Sequence, residues 1–245
     1  TEYLTELTQG PMKEYFRANF FANTPDILPE YLQQGGRPAF LIRAALAALT
    51  MPVYGIYSGF ELCENAPVPG KEEYIDSEKY QFKGRDWNAP GNIKDYVTRL
   101  NKIRRENRAL REYANLRTHT AENDQILCFS KTTTSLDEAL LVAVTVDPRN
   151  TQTAFVHVPL AEFGLTADEV YHVEDLITGE RYAWKGSRNF ISLDPHSRPA
   201  HVFRIRRSVA RVGGDGAHMG GCAAQGDGGQ ALRLGLLEVL IGRQG

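Results

Sequence analysis

In the stretch NFFANTPDILPEYL, Asn19 to Leu32, an aromatic run stops at Asn23-Thr24-Pro25-Asp26. Asp26 is a carboxylate with no basic residue beside it. Such a group can move a proton or stabilise positive charge that develops on a substrate. A buried strand that ends in a polar Asn/Asp pair is also where a parallel barrel presents active-site groups. The plainer alternative is that Asp26 or Thr24 caps the next turn or helix, a common use of these residue types. The residues alone leave both readings open. Phe16, Phe20 and Phe21, just before the polar break, read as buried.

Other reactive groups offer less. Glu61 and Glu64 could be taken for an acid and base pair, but they read better as carboxylates that orient their neighbours. Trp87 reads equally as a stacking ring and as loop packing. Arg104, Arg105 and Arg108 lie on one long helical pattern and read as a solvated or interdomain face, not a phosphate site. His157, His172 and His201 fall in β-rich runs without ligand spacing, so no metal is expected. Cys63, Cys128 and Cys222 are odd in number and widely spaced. They form neither a disulfide framework nor a Cys-x-x-Cys site, and reduced thiols in a cytoplasmic protein are expected.

The elements that would carry these groups fall into three zones. Residues 1–113 alternate strand and helix patterns. A buried strand is predicted from Tyr15 to Ala22, a buried helix from Arg37 to Leu49 with Pro38 near its first turn, and a short strand from Pro52 to Tyr57. A polar loop follows. From Asn92 to Tyr113 the residues Ile93, Tyr96, Val97, Leu100, Ile103 and Leu110 fall mostly on one helical stripe. This order fits α/β units with parallel strands. Residues 114–207 hold β-rich runs at Ile126–Thr133, Ala139–Asp147, Thr153–Leu160, Val170–Thr178, Arg181–Gly186 and His201–Arg207, separated by turn residues. Such spacing predicts an antiparallel sandwich. Residues 208–245 hold half of the chain's 22 glycines without an apolar period. They are expected to be a disordered or anomalous extension, with a short amphipathic helix in ALRLGLLEVLI.

The bulk properties narrow the class. The chain has 245 residues and a formal net charge of -2, which gives no electrostatic case for nucleic acid or an anionic membrane. It has no run of ~18 apolar residues to span a bilayer. Its first residues show no signal pattern and no initiator Met, so it reads as though it begins within a longer protein.

Four segments taken together resemble a known family: NFFANTPDILPEYL (Asn19 to Leu32), MPVYGIYSGFELCE (Met51 to Glu64), EEYIDSEKYQFKGRDWN (Glu72 to Asn88) and LNKIRRENRAL (Leu100 to Leu110). Their joint occurrence is similar to the C-terminal part of the α-1,4-glucan:maltose-1-phosphate maltosyltransferases of the α-amylase superfamily. The resemblance covers about residues 1 to 207 and not the tail. It implies an α/β region followed by an all-β region: the last two units of a (β/α)₈ TIM barrel (residues 1–113) and a C-terminal antiparallel β-sandwich (residues 114–207). The strands at Phe16 and Val53 become the seventh and eighth of the barrel.

The resemblance also implies roles. The carboxylate after the seventh strand is the third acid of the superfamily's active site, and Asp26 holds that position as the transition-state stabiliser. The superfamily's wider Asn-His-Asp pattern is here Asn23-Thr24-Pro25-Asp26, a departure shared with the maltosyltransferases that argues against ordinary starch hydrolysis. A Lys-Tyr pair that contacts the donor sugar aligns with Lys79 and Tyr80. The implied donor is maltose 1-phosphate and the acceptor an α-1,4-glucan, with no cofactor and a homodimeric parent. The nucleophile and acid/base would lie upstream of Thr1, so this chain alone is expected to be inactive. Alternatives are a hydrolase or trehalose-forming isomerase of the same superfamily, or a non-catalytic carbohydrate-binding module at residues 114–207.

Overall fold

The structure, a computed structural model, describes residues 1–76 and 82–207. The expectations for the tail and for Lys79 and Tyr80 lie outside the described residues.

The first part contains helix α1 (Glu2–Gln9), strand β1 (Asn19–Phe21), helix α2 (Glu30–Thr50), strand β2 (Val53–Gly55) and helix α3 (Lys94–Glu106). β1 and β2 pair in parallel, with Asn19 opposite Val53 and Phe21 opposite Gly55. Parallel neighbours need a crossover connection, and α2 supplies it. The βαβ order predicted from the sequence is present, with shorter strands. Phe20 is buried, but Phe16 is 42% and Phe21 46% exposed, contrary to expectation. In a strand successive side chains point to opposite faces. Phe20 therefore joins the core with α2, while Phe21 turns the other way and lies where a side chain on Gly55 would be. Phe16 precedes the strand, in a turn closed by its N–H donating to the Met12 carbonyl at 2.8 Å.

α2 is broken near its start. Gly36 has φ +59° and ψ -162°, a conformation open to glycine, and Pro38 follows. The second stretch of helix therefore begins near Pro38, where a missing N–H costs nothing. Beyond it Ala39 to Met51 are almost continuously buried. In α3 the stripe Val97, Leu100 and Ile103 is buried as its periodicity predicts.

The second part has eight strands: β3 (Leu116–His119), β4 (Ile126–Thr132), β5 (Ala139–Thr145), β6 (Gln152–His157), β7 (Val170–Asp175), β8 (Arg181–Lys185), β9 (Arg188–Leu193) and β10 (Ala200–Arg207). β3-β4-β5-β10-β7-β8 form one antiparallel sheet and β6-β9 a second. Six of these strands lie where β-rich runs were predicted; β3 and β9 were missed. Alternation along β4 and β5 gives the large sheet two apolar faces. Cys128, Leu141 and Ala143 face β6-β9. Leu127, Phe129, Leu140, Val142 and Val144 face the other way and share one core with α1 and α2. Tyr171, Tyr182 and Trp184 pack edge-on or tilted against one another and Phe203, as inward packing and not as an outward ladder of rings.

Two cations gather at the end of α2, and one of them, Lys131, crosses between the parts. Arg104, read from sequence as one of a solvated or interdomain trio, turns inward from α3. It donates to the Met51 carbonyl at 2.9 Å and the Pro52 carbonyl at 2.7 Å, and also to the Ala48 carbonyl. Arg105 and Arg108 stay exposed. Lys131 of β4 is 0% exposed and donates to the carbonyls of Thr50 (3.2 Å) and Glu112 (2.8 Å). Both cations satisfy carbonyls around the C-terminus of α2, where helical acceptors lack partners and the dipole is negative.

Burial, with Arg104 adding to it and Glu112 opposing it, pushes the Lys131 ammonium down to about 7. A lysine lowered on folding binds fewer protons in the native state between about pH 7 and its ordinary value near 10.4, so stability must rise with pH across that range. Between pH 7 and 9 the gain is roughly 2 kcal/mol. Denaturant unfolding of the wild type and Lys131→Met at both pH values checks it: the wild type should gain stability relative to the variant. Parallel pH dependence in the two proteins would mean that Lys131 does not titrate there.

Candidate active site

The chain leaving β1 is anchored at each step. The Ala22 N–H donates to the Gly55 carbonyl of β2 at 2.8 Å. The Ala22 carbonyl accepts from Arg43 Nε of α2 at 3.0 Å. Burial lowers the Arg43 guanidinium to about 10, where it is still a cation at neutral pH. Asn23 follows and is 2% exposed. Its Oδ1 accepts from the Tyr57 N–H at 2.8 Å and its Nδ2 donates to the Tyr74 hydroxyl at 2.7 Å. One amide thereby ties the end of β1 to the segment after β2 and to the loop beyond it.

Thr24 and Ile27 then exchange both backbone hydrogen bonds, at 3.1 and 3.2 Å, closing a turn around Pro25 and Asp26. Proline fixes φ at a turn's second residue. Asp26 is exposed on this turn. It is not the N-cap of α2, which is Pro29. The first helical N–H, that of Glu30, is instead met by the Glu72 carboxylate at 3.2 Å. Of the two uses read from the sequence for Asp26, capping of α2 is thus taken by another acid.

The loop at 66–75 lies against this turn. Leu28 N–H donates to the Glu72 carbonyl at 2.5 Å and Tyr74 N–H to the Pro25 carbonyl at 3.4 Å. Gln33 Nε2 bridges the Leu28 and Lys71 carbonyls at 2.9 and 3.1 Å. The loop is braced internally by Val68 N–H to the Glu73 carbonyl and Ile75 N–H to the Ala66 carbonyl, at 2.8 and 3.0 Å. The Tyr57 and Tyr74 ring centroids lie 5.6 Å apart. Burial pushes the Tyr74 phenol up to about 12, so it stays a neutral hydroxyl able to accept from Asn23.

A second anchor holds the chain beyond Gln81. Arg85, its side chain 3% exposed, donates through Nε to Glu64 Oε1 at 2.9 Å, and Lys83 reaches Glu64 Oε2 at 3.3 Å. Gly59, at φ +98°, leaves the space that Glu64 and Arg85 fill. Glu61 accepts from the Gly59 N–H at 3.2 Å. Both carboxylates therefore serve local structure, as read from sequence. The structure brings Asp26 and the 66–75 loop together, while Lys79 and Tyr80 lie outside the described residues. Sequence reasoning missed Asn23, Arg43, Glu72 and Tyr74 as the frame of the site. Asn23 and Tyr74 sit inside the quoted motifs, but nothing in their types announces burial or a bond across fifty residues of chain.

Among the described residues no group of His, Cys, Asp and Glu could hold a metal ion, and no helix is long and apolar enough to cross a membrane.

Residues 118–205 match the family model described as GLGE, C-terminal. The chain is 53% identical over 205 residues to the alpha-1,4-glucan:maltose-1-phosphate maltosyltransferase of Rhodospirillum rubrum, which covers 84% of this chain and 30% of that protein. It is 50% identical over 206 residues to the enzyme of the same name from Pseudomonas aeruginosa, covering 84% of this chain and 31% of that protein. The chain thus spans under a third of the length of these relatives. Among solved structures, the α-amylase of Geobacillus thermoleovorans aligns with a TM-score of 0.55 and 14% identity, over 85% of this chain and 42% of that one. An Anoxybacillus α-amylase gives 0.56 and 16%, over 80% and 39%. At these identities the likeness is one of fold.

Proposed function

We propose that this chain is the C-terminal part of an α-1,4-glucan:maltose-1-phosphate maltosyltransferase that moves maltosyl units from maltose 1-phosphate to the non-reducing end of an α-1,4-glucan with retention. The observation that carries the reading is the exposed Asp26 carboxylate on a closed turn just past the C-terminal end of a parallel strand. Active sites of barrel enzymes stand at that end of the strands. The similarity to named maltosyltransferases supports the substrate class.

In this reading β1 and β2 are the last two strands of a (β/α)₈ barrel ending near residue 113, and residues 114–207 form a β-sandwich that covers its end. Retaining glycosyl transfer passes through an oxocarbenium-like transition state. Asp26 places negative charge where positive charge builds on the sugar, which binds the transition state more strongly than the ground state. Lys79 and Tyr80 bind the maltosyl unit through an ammonium, a hydroxyl and a ring. The nucleophile and acid/base belong to residues upstream of Thr1. The parent is a cytoplasmic homodimer, in keeping with the free thiols of Cys63 and Cys128.

The test is an assay of the protein that carries this chain together with its upstream residues. Phosphate release from maltose 1-phosphate that depends on added glycogen is expected. The 245-residue chain alone should release none. Maltose release that depends on water and not on acceptor would replace this reading with a hydrolase.

A further inference from the structure

We infer that Asn23 is the positioning residue for Asp26, an inference that rests on the function proposed above. Asp26 sits three residues beyond Asn23, and the turn between them is rigid in its own right: Thr24 and Ile27 exchange two backbone bonds around Pro25. A rigid turn still has to be aimed. Its upstream end is aimed by the Asn23 side chain, which grips the Tyr57 N–H with one atom and the Tyr74 hydroxyl with the other. Its downstream end is set by Leu28 N–H on the Glu72 carbonyl, two residues from Tyr74. Tyr74 is thus held to the turn from both sides, through Asn23 and through its own N–H on the Pro25 carbonyl.

The geometry suits an amide and few other side chains. The Tyr57 N–H can only donate, so it needs an acceptor. The Tyr74 hydroxyl receives Nδ2–H from the same short side chain. Alanine offers neither group, and a 1 Å error in a group that acts only on the transition state falls on turnover more than on binding.

The test measures kcat and KM for maltose 1-phosphate with saturating glycogen, in the full-length protein that carries this chain. Asn23→Ala should lower kcat by roughly 10- to 100-fold while KM moves less than about threefold. Tyr74→Phe removes the acceptor from Nδ2 and keeps the Tyr57 bond; it should lower kcat by about 3- to 10-fold. The double variant should lose far less than the product of the two, because both changes break one link. Melting curves separate positioning from folding: the loss must persist at temperatures where the variant is fully folded. If Asn23→Ala does not fold, Tyr74→Phe decides. An unchanged kcat in a folded variant overturns the inference while leaving the proposed function intact. A wild-type protein that transfers no maltosyl unit overturns both.

Discussion

Replacing Asp26 by Asn in the full-length maltosyltransferase proposed here should lower kcat by about a thousandfold, with KM for maltose 1-phosphate changing far less. The substitution keeps the size and shape of the side chain, exchanges one acceptor oxygen for an amide donor and removes the charge. The positive charge that this carboxylate answers develops on the sugar only in the transition state, so losing the carboxylate charge appears in kcat. Asp26 is exposed, the turn that carries it is closed by backbone bonds, and the cap of α2 comes from Glu72. Asn is itself a favoured turn residue. Stability should therefore change by no more than about 0.5 kcal/mol, the usual scale for surface sites. A loss of less than tenfold in a stable variant would remove Asp26 from the catalytic machinery. A thousandfold loss that tracked a fallen melting temperature would make it a structural residue.

How far the sequence could be read depended on how local the deciding interaction is. The α/β order of the first part was legible from Arg37–Leu49 and from the stripe Val97, Leu100, Ile103, because burial periodicity is a property of the segment itself. The sandwich strands were legible for the same reason where a run was long and apolar. β3, LRTH, and β9, RNFISL, were missed because they are short or polar at their ends and owe their pairing to β4 and β6. The aromatic run before Asn23 was misjudged at Phe16 and Phe21, since a strand buries alternate residues and only a partner layer decides which face is covered. Arg104 was misjudged in the opposite sense. Its spacing matches its exposed neighbours, but the carbonyls it serves lie at and just past the end of a helix, more than fifty residues earlier. The position of Asp26 was carried by motif resemblance. Its frame of Asn23, Arg43, Glu72 and Tyr74 was not, because each bond joins residues that only the fold makes neighbours.

Asp175→Ala should destabilise the antiparallel part by roughly 3–5 kcal/mol, the cost of breaking a buried hydrogen-bonded pair by removing one partner. Asp175 is 0% exposed at the end of β7. Its Oδ1 accepts from the N–H groups of Ile177 and Val202, each at 3.1 Å. Its Oδ2 accepts from Thr178 Oγ1 at 3.0 Å and from His201 Nδ1 at 2.9 Å. The other ring nitrogen of His201 faces the Ser192 carbonyl at 3.1 Å. The ring is held between two oxygens, the Asp175 carboxylate and the Ser192 carbonyl. One side chain thereby shapes the β7-β8 hairpin and pins it to β10. Burial pushes the Asp175 carboxyl up, but the His201 bond and charge with the backbone donors hold it below the ordinary carboxylate range. A carboxyl lowered on folding contributes stability that is present above about pH 4, its unfolded value, and is lost as the pH falls through the folded one. Asp175→Asn keeps an acceptor for the two backbone donors and removes the titrating carboxyl, so it should cost less than the alanine and flatten the acid limb. Denaturant unfolding at pH 7 and pH 3 reads both effects. An alanine variant within about 1 kcal/mol of wild type would show that the buried pair is held in place by the sheet and not the reverse.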